Sequence, residues 1–86
     1  MNAAVDDYLS SRPEISGFLS VDHSGLVIAS RGDIDPATAG RYTAMVREAG
    51  RMHPSIHPPK IVIETATAHV LVKSYDAGTV VVRSKA

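Results

Sequence analysis

Apolar positions recur with two distinct periods along this chain, and the periods divide it into helices and strands. Between residues 2 and 11, Val5, Tyr8 and Leu9 stand at i, i+3, i+4 spacing, which predicts a short helix. Asp6 and Asp7 lie in its early turns, where the helix dipole favours acids, and Pro13 ends it. A helix this short needs tertiary support. From residue 15 the period drops to two. Ile15, Gly17, Leu19 and Val21 alternate with Ser16, Phe18 and Ser20, and Leu26-Val27-Ile28-Ala29 follows as a second strand. Between them, Asp22-His23-Ser24-Gly25 has turn chemistry, so residues 15–30 read as a β-hairpin that Arg31-Gly32-Asp33 breaks.

Residues 36–53 carry the strongest helical signal. Asp35 suits the N-cap and Pro36 the first helical position. Thr38, Tyr42, Met45, Val46, Ala49 and His53 form the stripe expected to face the core. On the other side Ala37, Gly40 and Ala44 make a small-residue stripe flanked by Arg41, Arg47, Glu48 and Arg51. A glycine inside a helix costs about 1 kcal/mol relative to alanine, and this helix holds Gly40 and Gly50. Two readings of that stripe stand: a solvated face, or a close approach by a second helix.

Prolines 54, 58 and 59 make residues 53–59 a stiff connector. Beyond it, residues 60–64, 68–74 and 79–83 are dense in β-branched side chains and read as a meander, with turns at 65–67 and 75–78. Val80-Val81-Val82 is apolar on both faces and is expected to be central, with both sides covered. Ile61-Val62-Ile63 follows two prolines, which favours an edge, and Lys60 is its lone gatekeeper. The order is α-β-β-α-β-β-β, an α/β (α+β) architecture with a five-stranded antiparallel sheet.

Composition narrows the function classes. Eighty-six residues allow a single domain, residues 1–86, with a marginal core. Nine basic and nine acidic side chains balance, which argues against a dedicated nucleic-acid binder. The absence of cysteine excludes disulfides, a thiol nucleophile and zinc–thiolate sites. The chain shows no membrane-length apolar run and no secretory signal, so the expectation is a cytoplasmic protein that reaches any membrane through partners. His53 and His57 lie four apart, but Pro54 and Pro58 keep them off a common helical face, and no acid stands nearby to complete a metal site. His69 alternates away from Val70 and Val72 and reads as a surface imidazole. Neither a nucleophile elbow nor a phosphate-binding glycine loop occurs. Arg31-Gly32-Asp33 reads as a loop rather than an adhesion tripeptide. No catalytic residue, cofactor or metal is expected, and the chain reads as a module that binds. With no disulfide or metal as a staple, oligomerisation is the remaining way to complete so small a core.

Several strings resemble the roadblock family of small α/β modules: Gly17-Phe18-Leu19-Ser20-Val21-Asp22-His23-Ser24-Gly25-Leu26, then Arg31-Gly32, then Ala39-Gly40, with Pro59 before Ile61-Val62-Ile63-Glu64 and Asp76 before Thr79-Val80-Val81-Val82. The resemblance runs from about residue 14 to the end and is greatest to the short subunits of the Ragulator scaffold. The family's third helix, after the last strand, is not expected here, since the sequence given stops at Ala86. The resemblance implies pairing with another roadblock subunit through the strand at 61–64 and the helix at 36–53. It also implies a membrane-anchored subunit that wraps the pair and covers the sheet face left open, and indirect contact with Rag GTPases on the lysosomal or vacuolar surface in amino-acid signalling to the mTOR kinase. The candidate interface is then Ala37, Gly40, Arg41, Ala44, Arg47, Arg51, Ile61, Val62 and Ile63. A homodimeric regulator of a small GTPase, or a dynein-type adaptor, is the alternative from the same family. A small enzyme or ligand-binding domain using the histidines is the alternative from another class.

Overall fold

A computed structural model describes residues 2–55 and 58–85. The chain runs α1 (Asn2–Ser10), β1 (Ile15–Asp22), β2 (Val27–Gly32), a 3-10 turn at Pro36–Thr38, α2 (Ala39–Met52), β3 (Lys60–Glu64), β4 (Ala68–Tyr75) and β5 (Gly78–Lys85). The strands form one sheet in the order β2-β1-β5-β4-β3, antiparallel throughout. β5 lies in the middle, because the C-terminal meander joins the N-terminal hairpin along β1. β2 and β3 are the edges. Ile56 and His57, part of the connector and of the candidate histidine pair, lie outside the described residues.

Side chains alternate across the strands, so each strand feeds both faces. Leu19 and Val21 of β1, Val72 of β4 and Val81 of β5 point under α2 and are fully buried. Ala39 and Val46 close over them, with Ile34, Tyr42, Ile61 and Val70 packed around the cluster. Full burial of each large side chain contributes about 1.5–3 kcal/mol. On the other face Val5 of α1 meets Phe18 and Ala29, with Leu9, Val80 and Val82 beside them. The Arg31 guanidinium donates to the Asp6 carboxylate at 3.0 Å and ties α1 to β2. Tyr8 packs against the Phe18 ring at 6.2 Å between centroids.

Three expectations are corrected. The inward stripe of α2 faces the core as expected over Tyr42, Met45, Val46 and Ala49, gains Ala39, and fails at its C-terminal member. Ala39 and Val46 are buried; Thr38, Tyr42, Met45 and Ala49 are half-buried; His53 is exposed. Ala39 lies three residues before Tyr42 and seven before Val46, on the same helical face, so it is buried with them. His53 has already left helical geometry at φ −133°, ψ 72°. Second, β2 continues through Arg31 and Gly32, paired with Phe18 and Gly17. Gly32, at φ +71°, packs directly on the Ser16 carbonyl, so the Arg-Gly-Asp tripeptide closes a strand and presents no free loop. Third, the Val80-Val81-Val82 run is central, yet only Val81 is fully buried. Val80 and Val82 stay half-buried because α1 roofs only part of their face.

Candidate partner interface

The sequence places a small-residue stripe on one helix and an apolar edge strand after a proline connector, far apart in the chain. The fold makes them neighbours. Asp35 sets the start: its carboxylate accepts from the Ala37 N–H at 2.9 Å, and Pro36 follows at the first position. Ala37, Gly40, Arg41, Ala44, Arg47 and Arg51 are all exposed. At Gly40 an added Cβ would meet nothing within 4 Å. Arg51 pairs with Glu48 one turn back at 3.1 Å, an exposed contact worth less than about 1 kcal/mol.

β3 lies at the sheet edge beside this helix, with β4 on one side only. Its three apolar residues do not act alike. Ile61 and Ile63 are half-buried, with Ile61 packed into the core under α2, whereas Val62 is 55 % exposed and faces the other side. The edge therefore offers its free backbone N–H and C=O groups, with the isoleucines as floor. Between helix and strand lies an open apolar dish of about 560 Å³, walled by Ala44, Met45 and Met52 and floored by Ile61. Arg41 and Glu48 rim it. Met52, 72 % exposed, is the member sequence reasoning missed. Its signal was present, because Met45, Ala49 and Met52 recur at i, i+4, i+7.

The hairpin string that carries the sequence resemblance is built for folding. One Asp22 carboxylate oxygen accepts from the Ser24 N–H at 2.9 Å, the Ser24 hydroxyl at 2.8 Å and the Leu26 N–H at 2.9 Å. The Ser24 hydroxyl, then the Leu26 amide, hold its carboxyl below the ordinary aspartate range. His23 donates through Nε2 to the Asp76 carbonyl and links the β1–β2 and β4–β5 turns. His69 is exposed, as its alternation implied. No group of three or more potential metal-ligating side chains occurs among the described residues. Among the described residues, no helix is long and apolar enough to cross a membrane.

The family model described as Ragulator complex protein LAMTOR5 matches residues 1–84. Two curated proteins, each described as a Ragulator complex protein LAMTOR5 homolog, are similar. The one from Dictyostelium discoideum is 32 % identical over 68 residues, spanning 79 % of this chain and 76 % of that protein. The one from Nematostella vectensis is 30 % identical over 83 residues, spanning 95 % and 90 %. Among solved structures, Myxococcus xanthus MglB superposes with a TM-score of 0.76 at 23 % identity, over 95 % of this chain and 73 % of that one. A roadblock/LC7 domain from Streptomyces avermitilis gives 0.66 at 20 % identity, over 92 % and 73 %. These two likenesses establish the fold.

Proposed function

This chain belongs to the LAMTOR5 family of roadblock-fold scaffold proteins, and from that premise we propose that it pairs with a second roadblock subunit inside a Ragulator-type complex. The carrying observation is the juxtaposition of an unpaired β3 edge with a helix face on which Gly40 meets open space. Backbone pairing along β3 extends the sheet into the partner, and the two helices lie side by side over the seam. The apolar dish between Met45, Met52 and Ile61 receives the partner's side chains. Arg41, Arg47 and Arg51 stand at the rim, where charge selects the partner more than it adds affinity. A stable pair buries on the order of 1,600 Å² in total.

In this reading the protein does its work by burial rather than by chemistry. It completes a platform that holds Rag GTPases at the lysosomal or vacuolar surface, and the membrane anchor is supplied by another subunit. Gly40→Leu tests the pairing. A leucine there projects into the space the second helix needs, so the variant loses co-purification with the other roadblock subunit by more than tenfold. Undiminished co-purification overturns the reading.

A further inference from the structure

The sheet has two edges, and they are built differently. Residues along an antiparallel pair alternate between bonding across the pair and pointing away from it. At β3 the Ser74 N–H donates to the Pro59 carbonyl and the Thr65 N–H to the Ala68 carbonyl, so the register turns Lys60, Val62 and Glu64 away from β4. Among the described residues no hydrogen bond takes up their outward N–H and C=O groups. At β2 the Asp33 N–H donates to the Ser16 carbonyl at 2.7 Å, which by the same count turns Ser30 and Gly32 outward, and with them the Ile28 carbonyl.

On β2 these acceptors are taken. The Arg31 guanidinium donates through Nη1 to the Ser30 carbonyl at 2.8 Å and through Nε to the Asp6 carboxylate at 3.0 Å. The Ile34 N–H donates to the Gly32 carbonyl at 3.0 Å. Of the outward carbonyls of β2, only that of Ile28 is left open, and there the register with β1 slips in a bulge. The side chains alone would not protect this edge. Leu26 and Ile28 are exposed, and Arg31 is the one charged residue of β2. The protection is therefore a matter of where Arg31 sits. A strand added here would lie about 4.8 Å from β2, in the gap the guanidinium fills. The planar fork is anchored at two points, on β2 and on α1, so swinging it aside breaks two charge-assisted bonds together.

Resting on the reading of β3 as the pairing edge, we infer that Arg31 decides which edge of the sheet accepts a partner: held by Asp6, it closes β2 to strand addition, and the sheet grows through β3 alone. Asp6 acts through Arg31 and is its positioning residue. Without the guanidinium, the Ser30 carbonyl is an open acceptor beside the Ser30 and Gly32 N–H donors, and the edge becomes a template for a further strand. The strand of matching register closest at hand is β2 of a second copy, joined about a two-fold axis. One pair then joins another through β2, and the assembly doubles.

The test uses the full chain bound to the second roadblock subunit, so that β3 is occupied. Arg31→Met keeps a long side chain and removes both donors. By sedimentation over about two decades of concentration, the wild-type pair is expected to keep one mass and the variant pair to double its mass as concentration rises. In the doubled particle the outward amides of Ser30 and Gly32 are expected to exchange hydrogen at least about tenfold more slowly than in the wild-type pair. Asp6→Asn frees the guanidinium at its far end and leaves β2 untouched; it is expected to double at higher concentration, and it carries the test should Arg31→Met not fold. Two results overturn the inference: variant pairs that keep the single mass, or a doubled particle whose Ser30 and Gly32 amides exchange as fast as in the wild type, which places the contact elsewhere. Failure of the underlying scaffold reading looks different. It appears as a wild-type chain that binds no second roadblock subunit, whatever Arg31 does.

Discussion

At Asp22 one carboxylate oxygen gathers two N–H groups and a hydroxyl, and it reinforces a β1–β2 turn that the Asp22 and Gly25 backbone N–H groups also close. These bonds favour the ionised form and depress its pKa below the ordinary value of 3.8. The stabilisation is complete above that ordinary value and disappears as pH falls through the lower, folded-state one. The amides of Ser24 and Leu26 are therefore expected to keep their chemical shifts and exchange rates at neutral pH, and to lose protection only in acid, below the ordinary aspartate value. In Asp22→Asn, whose side chain carries no charge, this acid transition is absent. Gly78 works through shape instead. Its φ of +148° is a region that side-chain-bearing residues avoid, and an added Cβ would strike the Val21 carbonyl. Gly78→Ala is expected to cost at least about 2 kcal/mol, combining backbone strain with that clash. In a domain of this size that lowers Tm by about 10 °C or more, measured by thermal unfolding.

Elements differ in how much of them a sequence can show. The strands and the β1–β2 turn were legible because their determinants are local: period-two alternation, the Asp22–Gly25 string, and prolines before β3. The phase of α2 was legible too, since Tyr42, Met45, Val46 and Ala49 face the core, but its ends were not: the opening 3-10 turn and the departure of His53 from helical geometry leave no mark in the hydrophobic period. Nor could the half-exposure of Val80 and Val82 be read off, since it depends on which part of the sheet a nine-residue helix from the other end of the chain comes to cover. The small stripe on α2 was visible while its neighbour was not: that β3 would lie beside it is a consequence of the strand order. Gly40→Leu separates helix stability from pairing. With open space around Gly40, leucine removes a poor helix former and is expected to raise the stability of the isolated chain by about 0.5–1 kcal/mol. A denaturant midpoint that rises in the variant, together with the lost pairing, locates the defect at the interface rather than in the fold.

For the molecule as a whole, the question is what completes it. Its principal core centres on four fully buried side chains, Leu19, Val21, Val72 and Val81. Met52 and Val62 lie open on opposite sides of the β3 edge. A small domain with so much apolar surface at one edge gains most of its margin from whatever binds there. A partner that binds only the folded chain adds stability according to its concentration over its Kd, about 2.7 kcal/mol at one hundredfold excess. At about 4–8 °C per kcal/mol for this chain length, saturation raises Tm by about 10–20 °C. Mass action also tells the two pairing modes apart. A heterodimerising subunit melts at a temperature independent of its own concentration, and the melt climbs only when the second roadblock subunit is added. A homodimer melts higher at each increase in its own concentration, with no other protein present. Thermal unfolding across about two decades of protein concentration, with and without the second subunit, is expected to show the first pattern. A melt that rises with this chain's concentration alone transfers the β3 edge and the Gly40 face from a foreign partner to a second copy of the same chain.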